Sequence, residues 1–311
     1  MEELKLKYTG RIKEVEIGTG EKKIKIGGQT CLNFHSFEGE FPNKPVISFE
    51  IWDSIPEDWS EICLSPYKDV VNDPVSWAKK CINEYNAKCL TIFLNSTDPN
   101  GMNKNAEDIR PIVEKIVNEI DVPLIFWGSG NVEKDISVLK MVCEVASGKN
   151  VGVGPVVDKN YKQIGASAIA YKQVVIASTP IDINLAKQLN ILLLELGVPE
   201  NKIIMDPTVG ALGYGIEYTY SVMERDRIAG LLQGDDKLAF PLYCYLSKDV
   251  WKIKEVNIPE NLTLKLGKEK ERGIIFEGIT ATLLLLAGAD IVVIRHPETI
   301  KLINEFIEEM K

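Results

Sequence analysis

The residues best suited to chemistry in this 311-residue sequence come directly after short apolar runs. Asp206 is the best candidate for a buried acid or a hydrogen-bond acceptor. The alternative is a structural role, in which its carboxylate bonds nearby backbone amides in an Asx-turn. Asn95 and Asn131 follow two other apolar runs and are equally open to binding a ligand's amides or to a structural role. Thr97 and Ser129 add hydroxyl groups at the same two places.

Several standard catalytic chemistries find no support among these residues. The chain has two histidines, His35 and His296, so a metal site of histidine ligands is not expected. None of its six cysteines are spaced as C-x-x-C, so we expect no zinc site or iron–sulfur cluster on this chain. Neither a G-x-S-x-G motif nor a phosphate-binding P-loop is present. We therefore predict no catalytic residue and no metal ligand, and a surface that binds and positions rather than one that transfers protons.

The composition predicts an ordinary soluble globular protein, with 45% hydrophobic and 26% charged residues. Its 36 basic and 45 acidic side chains give a net charge of −9, which argues against a nucleic-acid partner. The N-terminus has no apolar stretch typical of a signal peptide. The longest apolar run, Leu283 to Ala287, is too short to cross a bilayer. A cytoplasmic location is expected.

From about residue 45, short β-branched runs alternate with helical patterns. Eight such units fit a closed (β/α)₈ TIM barrel better than an open sheet, and continuous apolar strands suit burial on both faces. We predict a barrel domain over residues 45–311 and an N-terminal extension over residues 1–44. The predicted strands are Val46–Ile51, Leu90–Leu94, Leu124–Trp127, Val151–Val153, Val174–Ile176, Ile203–Met205, Leu238–Phe240 and Ile291–Ile294.

The N-terminal extension has a different pattern. Leu4–Leu6 and Ile24–Gly28 alternate apolar with polar residues, which predicts a small antiparallel β-hairpin. Phe34, Phe37 and Phe41 are expected to seal one end of the barrel, although such an element is also suited to docking a partner.

The segment DPTVGALGYGIEYTYSVMERDR, from Asp206 to Arg227, begins as the loop after predicted strand six. The residues that follow each strand line one mouth of a parallel barrel, where binding sites are built. This loop is longer than the usual two to six residues. Its glycines would let the backbone lie close to a flat ligand or a partner, and its tyrosines suit an interface; the alternative is a loop that only covers the mouth. These residues are Gly210, Gly213, Gly215, Tyr214, Tyr218 and Tyr220.

Phosphorylated substrates are disfavoured by the turns after predicted strands seven and eight. Barrels that bind phosphate have glycine-rich turns there. The corresponding segments, Tyr243–Ser247 and Arg295–Thr299, lack small residues whose backbone amides would hold a phosphate.

The long loop, together with FEIWD at 49–53 and FWGSGN at 126–131, resembles the small subunit of the corrinoid/iron–sulfur protein. This is the delta-type subunit of the acetyl-CoA decarbonylase/synthase system. The resemblance implies a barrel that forms a heterodimer with a large subunit, which carries a [4Fe–4S] cluster and a corrinoid-binding domain. The corrinoid, a cobalt cofactor, would lie between that domain and this barrel's mouth. From their position at the mouth, we predict these corrinoid-binding residues: Asn95, Thr97, Ser129, Asn131, Asp206, Gly210, Gly213 and Tyr214.

The resemblance further implies a methyl carrier. The methyl group would come from methyltetrahydrofolate through a separate methyltransferase and pass to acetyl-CoA synthase in the reductive acetyl-CoA (Wood–Ljungdahl) pathway. Many corrinoid proteins ligate cobalt through a D-x-H-x-x-G motif. Asn33–Gly39 lacks its aspartate and places the glycine one residue late, so we interpret His35 as structural.

Two other functions remain open. One is a pterin-dependent methyltransferase acting on a corrinoid protein, with Asp206, Asn95 and Asn131 holding the pterin. The other is a metal-independent lyase or aldolase. It is disfavoured because no lysine, Lys248 included, directly follows a predicted strand.

Overall fold

The protein is a TIM barrel, as the sequence predicts, in a computed structural model that describes residues 5–33, 35–262 and 264–309. Eight parallel strands are hydrogen-bonded in the order β8-β7-β6-β5-β4-β3-β10-β9. A bridge between Met205 and Leu242 joins the two ends of this sheet and closes it. The barrel strands are β3 (Val46–Trp52), β4 (Leu90–Phe93), β5 (Leu124–Trp127), β6 (Gly152–Val156), β7 (Val174–Ser178), β8 (Ile203–Asp206), β9 (Tyr243–Cys244) and β10 (Ile291–Ile294).

Helices follow the strands and cover the outside of the barrel. Asn105, Asn131 and Asp182 cap three of them, each as the residue before the first turn. Gly197 ends the helix that Asp182 caps, in the left-handed conformation that a C-terminal glycine favours. The helices are α1 (Glu61–Leu64), α2 (Pro74–Tyr85), α3 (Ala106–Glu119), α4 (Val132–Val145), α5 (Tyr161–Tyr171), α6 (Ile183–Leu196), α7 (Ile216–Leu231), α8 (Ser247–Val250), α9 (Lys254–Asn257), α10 (Glu269–Leu286) and α11 (Pro297–Glu309).

The N-terminal hairpin is present, but one of its strands is not the predicted one. It pairs β1 (Val15–Ile17) with β2 (Ile24–Ile26) in antiparallel register. Of the predicted strand Leu4–Leu6, Leu4 lies outside the described residues and Leu6 is exposed in coil. Hairpin side chains join the apolar cluster inside the barrel that contains Ile125. The hairpin therefore fills the amino end of the barrel, opposite the mouth.

The predicted phenylalanine seal does not form as expected. Phe37 is exposed and stacks on the His35 ring, with 5.6 Å between centroids. Phe41 is only partly buried, and Phe34 lies outside the described residues. Phe37 therefore closes nothing, and the hairpin packs at the barrel end. The proposed boundary at residues 44 and 45 stays a prediction.

The seventh barrel strand is also displaced from the prediction. Leu238–Phe240 is buried but lies before the strand, and β9 begins only after Pro241. The carbonyl of Ala239 accepts a hydrogen bond from the Lys13 amide, so the N-terminal segment pairs with this residue. The apolar residues that predicted a strand are thus buried outside the sheet, Leu238 and Phe240 in the main core and Ala239 against Ile12.

Candidate functional site

The mouth of the barrel is an open cavity of about 830 Å³ at the carboxyl ends of the strands. Its aromatic lining comes from Trp52, Phe93 and Trp127, which are the last residues of three neighbouring strands and pair in register. Trp52 and Phe93 meet edge to face at 5.0 Å between ring centroids. The polar lining is Ser54, Glu57, Asp58, Asn95, Asp98, Ser129, Ser178, Lys248, Lys252 and Arg295.

Arg295 lies beneath this cavity and forms a buried ion pair with Glu50. Its Nε donates to Glu50 Oε2 at 2.9 Å and its Nη2 donates to Oε1 at 2.8 Å. The guanidinium also stacks on Trp59, with its central carbon 4.1 Å from the ring centroid. A planar guanidinium matches a carboxylate in this bidentate manner, which fixes both groups.

Glu50 receives further hydrogen bonds from Trp52 Nε1 at 2.6 Å, from the Tyr245 hydroxyl at 3.0 Å and from the Ser247 hydroxyl. Burial raises the pKa of Glu50, but Arg295 and these donors offset it and hold the pKa below its ordinary value. A carboxylate that is ionised and fully hydrogen-bonded is unsuited to act as a general base. Glu50 and Arg295 therefore shape the mouth rather than move protons.

Two of the predicted binding residues line the cavity directly. Asn95 Nδ2 donates to Ser54 Oγ at 3.0 Å, which joins the loops after β3 and β4. Ser129 lines the wall, while its amide donates to Asp135 Oδ1 at 2.9 Å. Burial raises the pKa of Asp135 to about 6, although the amides of Gly130 and Ser129 oppose the shift. Asp135 thus holds the loop after β5 in place.

Asp206 is buried below the mouth, and both of its oxygens are occupied. Ser178 Oγ donates to Oδ2 at 2.6 Å, and the Thr208 amide donates to Oδ1 at 3.1 Å. The second bond is the Asx-turn considered as the structural alternative. Burial raises the pKa of Asp206, and Lys248 opposes the shift. Asp206 supports the wall through Ser178, which itself lines the cavity.

Thr97 and Asn131 lie outside the cavity lining. Thr97 is fully buried, and its hydroxyl donates to the Leu94 carbonyl at 2.7 Å. Asn131 is exposed and caps α4, its Oδ1 accepting from the Lys134 amide at 3.1 Å. Both side chains have local structural partners of the kind that such residues prefer at helix starts and turns.

The loop between β8 and α7 spans residues 207–215. Gly210 packs against the backbone of Gly215, where a side chain would not fit. Gly213 has a φ of +77° and open space around its Cα, so its conformation, not crowding, requires glycine. Tyr214 is 53% exposed, and its hydroxyl donates to Glu255 Oε2 at 2.8 Å. The hydrogen bond to Glu255 thus anchors the loop, while the ring of Tyr214 remains exposed to solvent.

Tyr218 and Tyr220 are in α7 and not in the preceding loop. Tyr218, in the first turn, is 65% exposed. Tyr220 is partly buried and packs against the main apolar core. Only Tyr214 and Tyr218 therefore offer the exposed aromatic area expected of this segment.

Sequence reasoning missed Lys248 as a mouth residue. Its Nζ lies 5.6 Å from the Trp127 ring centroid and 5.4 Å from that of Tyr245. Lys248 lies four residues after β9, in the first turn of α8. The predicted strand was Leu238–Phe240, and Lys248 does not directly follow it. The aromatic lining was missed too, although the runs FEIW, LTIF and LIFW each end in an aromatic residue.

Metal ligands do not converge in the part of the chain that the structure describes, where no group of three or more His, Cys, Asp or Glu could hold an ion. All six cysteines are buried free thiols. His296 is buried, and burial lowers its pKa to about 4. Its Nδ1 accepts a hydrogen bond from the Glu298 amide at 3.2 Å. In these same ranges, 5–33, 35–262 and 264–309, no helix is both long and apolar enough to cross a bilayer.

The fold is shared with pterin-binding TIM barrels. A dihydropteroate synthase from Xanthomonas albilineans, solved with 4-aminobenzoic acid, aligns with a TM-score of 0.61 over 96% of this chain and 100% of that one, at 12% identity. The dihydropteroate synthase from Clostridium difficile, solved in the presence of pteroic acid, gives a TM-score of 0.55 over 88% of this chain and 100% of the other, at 16% identity. At such identities the likeness defines the class of protein by fold alone.

Residues 14–306 match the family described as the CO dehydrogenase/acetyl-CoA synthase delta subunit, and the chain belongs to this family. Subunit delta of the acetyl-CoA decarbonylase/synthase complex of Archaeoglobus fulgidus is 35% identical over 98% of this chain and 69% of its own length. The corresponding subunit of Methanothermobacter thermautotrophicus is 33% identical over 97% of this chain and 76% of its own length.

Proposed function

We propose that this chain is a subunit of a cytoplasmic acetyl-CoA decarbonylase/synthase complex and that its mouth holds one face of a corrinoid. A large corrinoid/iron–sulfur subunit would cover the other face and carry the [4Fe–4S] cluster. Methyltetrahydrofolate would supply the methyl group through its methyltransferase, and acetyl-CoA synthase would receive it in the Wood–Ljungdahl pathway. Family membership supports the assignment of the chain to this complex.

The observation that carries the proposal is an open mouth with an apolar rim. Ile55 is 51% exposed and Met102 58% exposed, and both line the cavity. Tyr214 and Tyr218 add exposed aromatic area at the same end of the barrel. Exposed apolar and aromatic side chains around a cavity are typical of a surface that another chain covers.

The donor set of the mouth fits a corrinoid that is held from one side. Asn95, Ser129 and Lys248 offer hydrogen-bonding groups suited to the amides at the edge of such a ring, and Trp52 and Trp127 offer flat apolar area. Among the described residues no His or Cys lines the cavity, so this chain orients the ring and leaves cobalt without a ligand from it. The corrinoid supplies a cobalt that accepts and releases the methyl group; the protein supplies position and excludes water.

Co-expression with the large subunit tests this proposal. The purified heterodimer is expected to show the visible absorption band of a corrinoid and equimolar cobalt. Each chain expressed alone should lose most of that cobalt. A stable heterodimer without corrinoid, or no heterodimer at all, would contradict the proposal.

A pterin-dependent methyltransferase is the second candidate, favoured by a cavity volume in the range of small-molecule sites. Of the three residues assigned to the pterin, only Asn95 lines the cavity. Asp206 has both oxygens occupied, and Asn131 caps a helix. Calorimetric titration of the isolated chain with methyltetrahydrofolate separates the two functions, because micromolar binding favours the methyltransferase.

A further inference from the structure

The ammonium group of Lys248 lies in the mouth over two aromatic rings. It lies over the rings of Trp127 and Tyr245, at 5.6 and 5.4 Å from their centroids. Within the described part of the chain, it makes no hydrogen bond and no ion pair shorter than 4.0 Å. Two aromatic faces position a cation but hold it only weakly. All three N–H donors of Lys248 therefore remain available to a ligand.

The nearby carboxylates do not neutralise Lys248 by direct contact. Asp206 and Asp249 are close enough for Lys248 to oppose the rise in their pKa that burial causes. Neither forms an ion pair with it, and Asp206 already accepts two hydrogen bonds. Glu50, the other buried acid nearby, is paired with Arg295. Lys248 is thus the cation of this wall that lacks a contacting acid.

Two further cations line the same cavity. Arg295 follows β10, the strand beside β9, but it is buried over the rings of Trp52 and Trp59 and its charge is paired with Glu50. Lys252, one turn beyond Lys248, lies 3.9 Å from Asp58 with both side chains well exposed, which is a weak pair. The basic side chains of the mouth therefore cluster on the loops after the seventh and eighth barrel strands.

These are the loops with which many barrels bind phosphate. The sequence disfavoured phosphate because the turns lack glycine. The structure places side-chain cations where other barrels use backbone amides. The missing glycines therefore exclude phosphate binding by backbone amides, but they do not exclude phosphate as a ligand. We propose that Lys248, with Lys252 beside it, forms an oxyanion subsite for a phosphate or carboxylate group of the mouth's ligand. This subsite adds a ligand group to the proposed function. It rests on that function in one respect, that the mouth is the binding site.

Chemical footprinting of the full chain tests the subsite without any corrinoid. The rate of lysine acylation by an N-hydroxysuccinimide ester is followed residue by residue with mass spectrometry. Inorganic phosphate, glutarate and sodium chloride are compared at equal ionic strength. Lys162 is the matched control, because its Nζ lies 5.9 Å from the Tyr161 ring but outside the mouth. At phosphate ten times above the Kd, acylation of Lys248 should slow by about 11-fold, as simple mass action requires.

Protection of Lys248 by phosphate alone assigns the subsite to a phosphate, and protection by glutarate assigns it to a carboxylate. Equal protection by chloride, or parallel protection of Lys162, would reveal screening only and overturn the proposal. So would the absence of protection by any anion. As a second measurement, the protecting anion should raise the Tm of the wild type and not that of Lys248→Met. Because no corrinoid is present, failure of the methyl-carrier proposal would leave these outcomes unchanged.

Discussion

Glu50 and Arg295, 245 residues apart, join the first and last barrel strands by two parallel hydrogen bonds of 2.9 and 2.8 Å. Both side chains are almost completely buried. The pair lies directly under the mouth, since Arg295 lines the cavity and Trp52 bonds Glu50. It therefore couples the junction of the first and last barrel strands to the shape of the site.

Loss of one partner of this pair should be costly. Arg295→Met leaves an unpaired buried carboxylate, so we expect the free energy of unfolding to fall by about 3–5 kcal/mol in urea titrations. The double variant Glu50→Gln/Arg295→Met should recover part of this loss. Lys79→Met, which breaks an exposed pair with Glu119, is the control and should change little. Equal effects of the buried and exposed substitutions would contradict this account.

Asp226 should make the protein less stable as pH rises. Its two oxygens are buried without a hydrogen-bond partner among the described residues, and burial raises its pKa from 3.8 to about 7. Between these values the folded chain holds a proton that the unfolded chain has lost, so stability falls as pH rises through this window. Asp226→Asn should remove that slope and gain up to about 4 kcal/mol over the wild type at pH 8.

The measurement is urea unfolding at intervals from pH 4 to pH 8. Asp158→Asn, at an exposed aspartate, is the control and should run parallel to the wild type. If Asp226→Asn also runs parallel to the wild type, the carboxyl has a partner that keeps it ionised, and the assignment fails.

Gly213→Val should weaken binding at the mouth without unfolding the barrel. A β-branched residue at a φ of +77° costs about 1–2 kcal/mol in backbone strain and reshapes the loop after β8. Gly148→Val is matched in strain, with a φ of +80° and open space, but lies at the amino end of the barrel. The Tm should fall by a similar amount in both variants. Only Gly213→Val should lower the cobalt content and the methyl-transfer rate of the complex. Equal cobalt content in the two variants would argue against a role for the loop.

The iron–sulfur cluster is expected to belong to the partner. Each of the six cysteines is buried as a free thiol, and burial raises the thiol pKa of Cys81, Cys89 and Cys143, which disfavours the thiolate that a cluster needs. Single Cys→Ala variants of this chain, assembled with the large subunit, should keep the full iron–sulfur EPR signal. Loss of the signal in any one variant whose heterodimer still forms would place a ligand here.

Periodicity was sufficient for most of the barrel because its strands are continuous apolar runs between capped helices. It failed at the seventh strand. Leu238 and Phe240 are buried in the main core and Ala239 against the N-terminal segment, so this run has the same apolar character as a barrel strand. The true strand, Tyr243–Cys244, carries a polar aromatic residue that faces the barrel interior. A sequence pattern records that a residue is buried but not which partner buries it.

The site was predicted less well for a related reason. The residue after a strand can face the mouth or turn back to cap its own loop, and Asn131 and Thr97 do the latter. Lys248 reaches the mouth from a helical turn, through contacts with two rings that are distant in sequence. Such long-range contacts leave no local signature.

The hairpin of β1 and β2 packs against the apolar cluster that fills the barrel, at the end opposite the mouth. A cofactor bound in the mouth cannot pass through the filled barrel, so it must enter and leave through the mouth. If a second polypeptide lies across that route, the cofactor can exchange only after the two chains dissociate. The rate of exchange should then follow the dissociation kinetics of the assembly rather than the affinity of the pocket itself.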